Sequence, residues 1–164
     1  MNMGNLIATV FGVGYMRPAP GTWGSAVGTL AALGLHYLGG FPLLAAATII
    51  VFFVGWWATA EATRGKTDHD PSEIVIDEVA GVWLTLWVVS YGAWHAGLDP
   101  LRLYPGWIAG FVFFRVFDIL KPGPVGWADR RGDALGVMLD DMIAGVFAAI
   151  AVGASAYIFH AVLS

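Results

Sequence analysis

Cysteine is absent from the 164 residues, which excludes disulfides, thiolate metal sites and a cysteine nucleophile while leaving the redox compartment open. Charge is scarce: 12% of the residues are Asp, Glu, Lys or Arg, against about 25% in a soluble domain. No basic tail is present to meet nucleic acid. The stretch "MNMGNLIATVFGVGYMRPAP" lacks the basic segment and small-residue cleavage pattern of a secretory signal, so no processing is expected. What remains is apolar, with 58% hydrophobic residues and a mean hydropathy of +0.71. Such a chain is expected to be solvated largely by lipid, as one integral membrane domain over 1–164 without repeats or linkers.

Apolar runs at 25–38, 41–60, 79–97, 106–120 and 142–163 predict an all-α, polytopic bundle of about five helices. Crossing a hydrocarbon core takes about 20 helical residues, so the first and fourth runs are short. With five crossings, Arg17, Arg64, Lys66, Lys121, Arg130 and Arg131 share one side and only Arg102 lies on the other. The positive-inside bias makes the first side cytoplasmic. Glu61, Asp68, Asp70, Glu73, Asp77, Glu78, Asp129, Asp133, Asp140 and Asp141 collect there too, while Asp99 lies opposite. Acids do not follow the topology rule, so their crowding needs a separate cause.

Three stretches bring carboxylates to the cytoplasmic ends of helices: "DHDPSEIVIDEVAG" (68–81), "FRVFDILKPGP" (114–124) and "GVMLDDMIAG" (136–145). Acids in a first helical turn favour the macrodipole by about 0.3–1 kcal/mol each, which is a purely structural account of Asp77, Glu78, Asp140 and Asp141. It fails for Asp118, which is read at a helix C-terminus and needs a cation nearby. Arg115 and Lys121 are three residues away on either side. Either they form structural ion pairs, or they face a phosphate while Asp118 joins the other acids on a cation. Converging carboxylates without thiolates or a histidine cluster favour a hard cation, Mg²⁺ before Zn²⁺. The segment "RPAPGTWGS" (17–25) offers Thr22 or Ser25 as N-cap, Gly21 and Gly24 for close backbone approach, and free N–H groups for a phosphate. His36, His95 and His160 are read as interfacial polar residues, and the eight tryptophans as interfacial and packing groups.

These blocks, "PGTWGS", "DPSEIVIDEVAG", "FRVFDILKPGPVGWADR" and "GVMLDDMIAG", resemble in order and separation the phosphatidylglycerophosphatase A family of bacterial membrane lipid phosphatases. The resemblance implies Mg²⁺-dependent hydrolysis of phosphatidylglycerophosphate to phosphatidylglycerol and inorganic phosphate, at the cytoplasmic face of the bacterial inner membrane. The family pattern falls on Asp70, Asp77, Glu78, Arg115, Asp118, Lys121, Pro122, Asp129, Asp140 and Asp141. On that basis Asp77, Glu78, Asp118, Asp140 and Asp141 are the expected metal ligands. Asp70 is a further ligand or the base for water, and Asp70, Asp77, Glu78, Asp118 and Asp141 form the expected catalytic set. Arg115, Lys121 and Arg130, with Thr22 and Ser25, are the expected phosphate contacts. The chain has "KPGP" where the family often has "KPWP", and Asp133 and Ala134 where it often has a Gly pair, so the slightly shortened loop 123–135 is expected to depart in shape from the family's. Attack by water and an aspartyl-phosphate intermediate both remain open.

The principal rival is an ion- or proton-coupled transporter, which would spread ionisable groups through membrane depth rather than gather them at one face. A membrane phosphotransferase of the CDP-alcohol type is a second, although "DRRGDALGVMLDD" lacks its aspartate and glycine spacing, and a scaffold whose acids merely cap helices is a third.

Overall fold

The computed structural model describes residues 2–163. In order, the helices are α1 (Met3–Ala8), α2 (Pro20–Thr63), α3 (Ile76–Ala96), α4 (Tyr104–Leu120), α5 (Pro124–Asp129) and α6 (Ala134–Leu163). No strand forms among the described residues. The all-α expectation therefore holds, and Pro20–Thr63, Pro100–Leu120 and Ala134–Val162 are long and apolar enough to cross a membrane. Large apolar side chains such as Leu38, Ile50, Phe53, Ile108 and Ile150 face outward, as a lipid-solvated bundle requires.

The 44 residues of α2 are two limbs. Gly39 leaves helical geometry and Gly40 takes φ 66°, a region open to glycine at little steric cost. Contacts with α3 reveal the reversal. Gly28 meets Val79 and Val82, His36 meets Ser90 and Gly40 meets Trp94, so the first limb runs with α3. Thr48 then bonds Trp87 and Gly55 meets Ile76, so the second limb runs back. Together with α3, α4 and α6 this makes five long helical segments, which lie over the five apolar runs.

α3 is central and carries most of the buried contacts. Leu86, Phe114, Ala144 and Ala148 form one core cluster, and Ile76, Ala58, Met138 and Ala8 another. Polar side chains tie the helices together: Trp83 donates to the Gly28 carbonyl (2.7 Å), Trp87 to the Thr48 hydroxyl (3.0 Å), and Thr85 to the Gly145 carbonyl (3.2 Å). In lipid such bonds and small-residue contacts replace the hydrophobic drive for helix association. His36 belongs to this set. Its Nδ1 lies 2.7 Å from the Ser90 hydroxyl and it is buried, which corrects the interfacial reading of that histidine.

Two helix starts, those of α2 and α6, differ from expectation and that of α3 agrees with it, and all three bear on the acids. α2 starts at Pro20, a residue preorganised for a helix start, so Thr22 and Ser25 lie inside the helix and neither caps it. α3 starts at Ile76, which leaves Asp77 and Glu78 in its first turn. α6 starts at Ala134, so Asp140 and Asp141 sit well inside it and no acid occupies its first turn. The macrodipole account, whose reach is the first turn, is thereby removed for that pair.

Candidate active site

Four helix segments deliver their side chains to one end of the bundle, around a cavity of about 320 Å³. The N-terminal turn of α2 contributes Pro20 and Gly21, and α3 contributes Asp77 and Glu78. The last turns of α4 bring Arg115 and Asp118, with Lys121 just beyond, and α6 brings Asp140 and Asp141. Asp70 comes from the loop before α3. Eight of the eleven residues expected from sequence thus meet on one wall.

Close helix approach makes this convergence possible. A Cβ on Gly21 would collide with the Glu78 carboxylate, and one on Gly24 would lie 2.8 Å from Val75 Cβ. Between α3 and α6, a Cβ on Gly81 would lie 2.6 Å from the Asp141 carbonyl oxygen, and one on Gly145 would lie 2.5 Å from the Gly81 carbonyl oxygen. The pair Gly81 and Gly145 is absent from the expectations of the sequence. The "AG" that follows each acid pair, Ala80–Gly81 after "DEV" and Ala144–Gly145 after "DDMI", is the signal that marks it.

The five expected metal ligands divide into two kinds, with Glu78 sharing in both. Asp77, Glu78 and Asp141 each bring a carboxylate oxygen within 4.8 Å of the others, an arrangement that can hold a metal ion. Asp77 Oδ1, Glu78 Oε2 and Asp141 Oδ2 are buried and have no hydrogen-bond partner. Three buried anionic oxygens without donors would be costly in isolation, and a hard cation among them is the usual resolution. Asp118 and Asp140 are instead engaged by cations. Arg115 Nη1 lies 2.6 Å from Asp118 Oδ2, and Lys121 Nζ lies 3.0 Å from Asp140 Oδ2. The positive charge that Asp118 needs near its helix end is therefore Arg115. Asp140 also accepts the Asp141 N–H through its other oxygen at 2.9 Å.

Arg115 reaches further, to Glu78 Oε1 at 3.4 Å and to the Ser25 hydroxyl at 3.5 Å. Its Nε is buried without a partner. A guanidinium on the cavity wall with an unused donor is suited to a planar or tetrahedral oxyanion. Lys121 ends α4 in the left-handed region (φ 45°), and its ammonium pairs with both Asp129 and Asp140. Burial works to lower its pKa, but the bond to Asp129 and the Asp140 charge hold it above the ordinary lysine value, so it stays protonated. Asp70 lies at the rim. Desolvation pushes its carboxyl above the usual range, against the pull of Lys121, with Asp129 and Asp68 adding repulsion.

Three expected phosphate contacts are not on the cavity wall. Ser25 is buried, donates to the Gly21 carbonyl (2.8 Å) and reaches the site only through Arg115. Thr22 does not line the cavity, and Arg130 is exposed, packed back on Gly126. Loop 123–135 folds as the short helix α5 with Gly123 at φ 48° before it, and Arg131 closes it by pairing with Asp133 at 3.0 Å.

Across residues 6–156 the chain matches the family model described as Phosphatidylglycerophosphatase A. A Haemophilus influenzae protein of that name is 36% identical over 159 residues, covering 96% of this chain and 91% of the relative. An Escherichia coli protein of the same name is 34% identical over 153 residues, covering 90% and 80%. A Bacteroides thetaiotaomicron protein with a provisional name, phosphatidylinositol-3-phosphatase, is 36% identical over 157 residues, covering 93% of each. No solved structure matches the chain.

Proposed function

The chain belongs to the phosphatidylglycerophosphatase A family, and on that premise we propose that it removes the terminal phosphate of phosphatidylglycerophosphate with Mg²⁺ at the cytoplasmic face of the membrane. It is a phosphatase, a phosphoric monoester hydrolase: water adds to phosphorus, the ester oxygen leaves with a proton, and phosphatidylglycerol and inorganic phosphate result. It acts as one membrane unit, with the acyl chains left in the bilayer.

One juxtaposition carries this reading: a seat for a cation beside a seat for an anion, in a single cavity. The orphaned oxygens of Asp77, Glu78 and Asp141 are the cation side, and the orphaned Nε of Arg115 is the anion side. Mg²⁺ held by those three carboxylates, with Asp118 and Asp140 close by, would neutralise phosphate oxygens and acidify water. The remaining work falls to this chain's own side chains. Arg115, fixed by Asp118 and Glu78, presents its donors to the non-bridging oxygens. Lys121, held by Asp129 and Asp140, adds a second fixed positive charge to the cavity lining. Asp70, at the rim and with a raised pKa, would take the proton of the attacking water. Gly21 and its neighbours bring the first amides of α2 to the same wall. Thr22 and Arg130 are left out of this machinery.

The transporter reading has no support in this arrangement, because the carboxylates gather at one end of the bundle rather than along its depth. The test is phosphate release from phosphatidylglycerophosphate by purified protein in detergent, with Mg²⁺ and with EDTA, beside Asp141→Asn. Release that requires Mg²⁺ and vanishes in the variant is expected. Folded protein that releases phosphate equally in EDTA would remove the metal from the proposal. Absence of release from this lipid, with release from phosphatidylinositol 3-phosphate, would move the substrate to the other headgroup carried in a relative's name.

A further inference from the structure

A second cavity, about 390 Å³, lies between the first limb of α2 and α4, on the outward surface of the bundle. Ala26, Leu30 and Leu33 line it from α2, and Trp107, Ile108 and Phe111 from α4. The geometry of α2 explains why it exists. Gly24 and Gly28, one turn apart, are buried against Val75 and, in α3, Val79 and Val82, which turns the 26, 30 and 33 positions away from that contact and toward α4. The small Ala26 leaves room between the two helices. Within the groove the Thr29 hydroxyl donates to the Ser25 carbonyl (2.9 Å) and the Trp107 indole to the Pro100 carbonyl (3.0 Å), while Tyr104 is exposed. What the groove offers a ligand is hydrocarbon.

Two of the helices that line the polar cavity, α2 and α4, also line the groove. On α2, Gly21 belongs to the polar cavity and Ala26 begins the apolar one. On α4, Arg115 belongs to the first and Phe111, one turn away, to the second. From Arg115 to Tyr104, which also lines the groove, the helix rises about 16 Å. A ligand with a phosphate at one end and a long apolar chain at the other matches that sequence of surfaces.

We propose that this groove seats an acyl chain of the lipid whose phosphate occupies the polar cavity. The proposal rests on the lipid phosphatase reading. It adds a subsite: the α2–α4 face is where the substrate enters sideways from the bilayer, and binding along it sets which lipids are hydrolysed efficiently. The chain is immobilised against Trp107, while Leu30 and Ile108, both exposed, form the groove's lips.

Leu33→Trp and Ile108→Trp narrow the groove two or more turns from Gly21 and Arg115. The experiment compares both variants with the unsubstituted protein on dioleoyl phosphatidylglycerophosphate and on its deacylated, water-soluble headgroup. kcat/KM for the dioleoyl lipid is expected to fall about tenfold or more, with the headgroup compound unchanged within about twofold. Equal losses on both compounds in both variants, or no loss in either, would overturn the groove. A second arm uses the same phospholipid with a diazirine midway along one acyl chain. Labelling concentrated in 26–33 and 104–111, and weaker in the variants, upholds the subsite. Labelling spread over all outward faces, or matched by phosphatidylcholine carrying the same chain, means annular lipid and overturns it. If the unsubstituted protein hydrolyses neither compound, the phosphatase reading falls, and the labelling pattern decides the groove by itself.

Discussion

Asp141 has both a carboxylate oxygen without a donor and almost no exposure, 2% of its surface. Replacing it with Asn keeps the shape and removes a buried charge, so without metal the variant is expected to unfold no earlier than the parent protein. Binding that favours the folded state adds about 2.7 kcal/mol when ligand is at 100 times Kd. Adding Mg²⁺ is therefore expected to raise the Tm of the parent protein and to leave that of Asp141→Asn unmoved, read by thermal unfolding in detergent. Equal Mg²⁺ shifts in both would place the ion elsewhere. Arg115 gives a second case. Its guanidinium spans Glu78 and Asp118 and still has Nε unused, a geometry that a lysine ammonium cannot reproduce. A charge-assisted bond contributes about 1.5–3 kcal/mol, so Arg115→Lys is expected to lower kcat/KM about 10- to 100-fold. Activity within twofold of the parent would reduce Arg115 to a structural ion pair with Asp118.

At the scale of elements, the crossing of α3 and α6 at Gly81 and Gly145 fixes the distance between the two acid pairs. A Cβ at Gly81 would meet both Phe114 Cε2 (2.5 Å) and the Asp141 carbonyl oxygen (2.6 Å), and backbone cannot move aside as a side chain does. Overpacking of this kind costs about 1–3 kcal/mol. Gly81→Ala is expected to lower both Tm and activity, whereas Gly21→Ala, whose added methyl meets only the end of Glu78 and the Arg115 guanidinium, is expected to lower activity far more than Tm. Parallel measurements of phosphate release and thermal unfolding distinguish the two. A Gly81→Ala protein with parental Tm would show that the crossing has slack.

The molecule as a whole places six of its eight Lys and Arg residues in loops at the acidic end or just beyond its helices, with Arg115 in the cavity wall and Arg102 at the far end. That bias is the basis of the proposed orientation, with the cavity toward the cytoplasm. Because the chain has no cysteine, single cysteines report sidedness without background. Lys66→Cys is expected to react with a membrane-impermeant maleimide only after cells are permeabilised, and Leu98→Cys from outside. The reverse pattern would invert the proposed orientation and take the cytoplasmic site with it.

Composition and apolar spacing determined by themselves that the protein is a helical membrane bundle, and the order of four motifs was enough for the family, because both are properties read along the chain. The acids were legible as a set for the same reason. Their division was not. Whether Asp118 and Asp140 join Asp77, Glu78 and Asp141 or pair with Arg115 and Lys121 depends on distances between α3, α4 and α6, which residue spacing does not contain. The start of α6 at Ala134 rather than near Met142 was hidden as well, since "ALGVMLDD" is less apolar than the run that follows yet is held helical by packing on α5 and its neighbours. His36 read as interfacial from its position in the run and proved buried, because the Gly39–Gly40 reversal folds the chain so that Ser90 is brought to it. Only the tertiary structure could decide such matters: burial and pairing are set by which helices meet, and in a lipid-solvated chain the apolar pattern says that helices meet without saying which faces do.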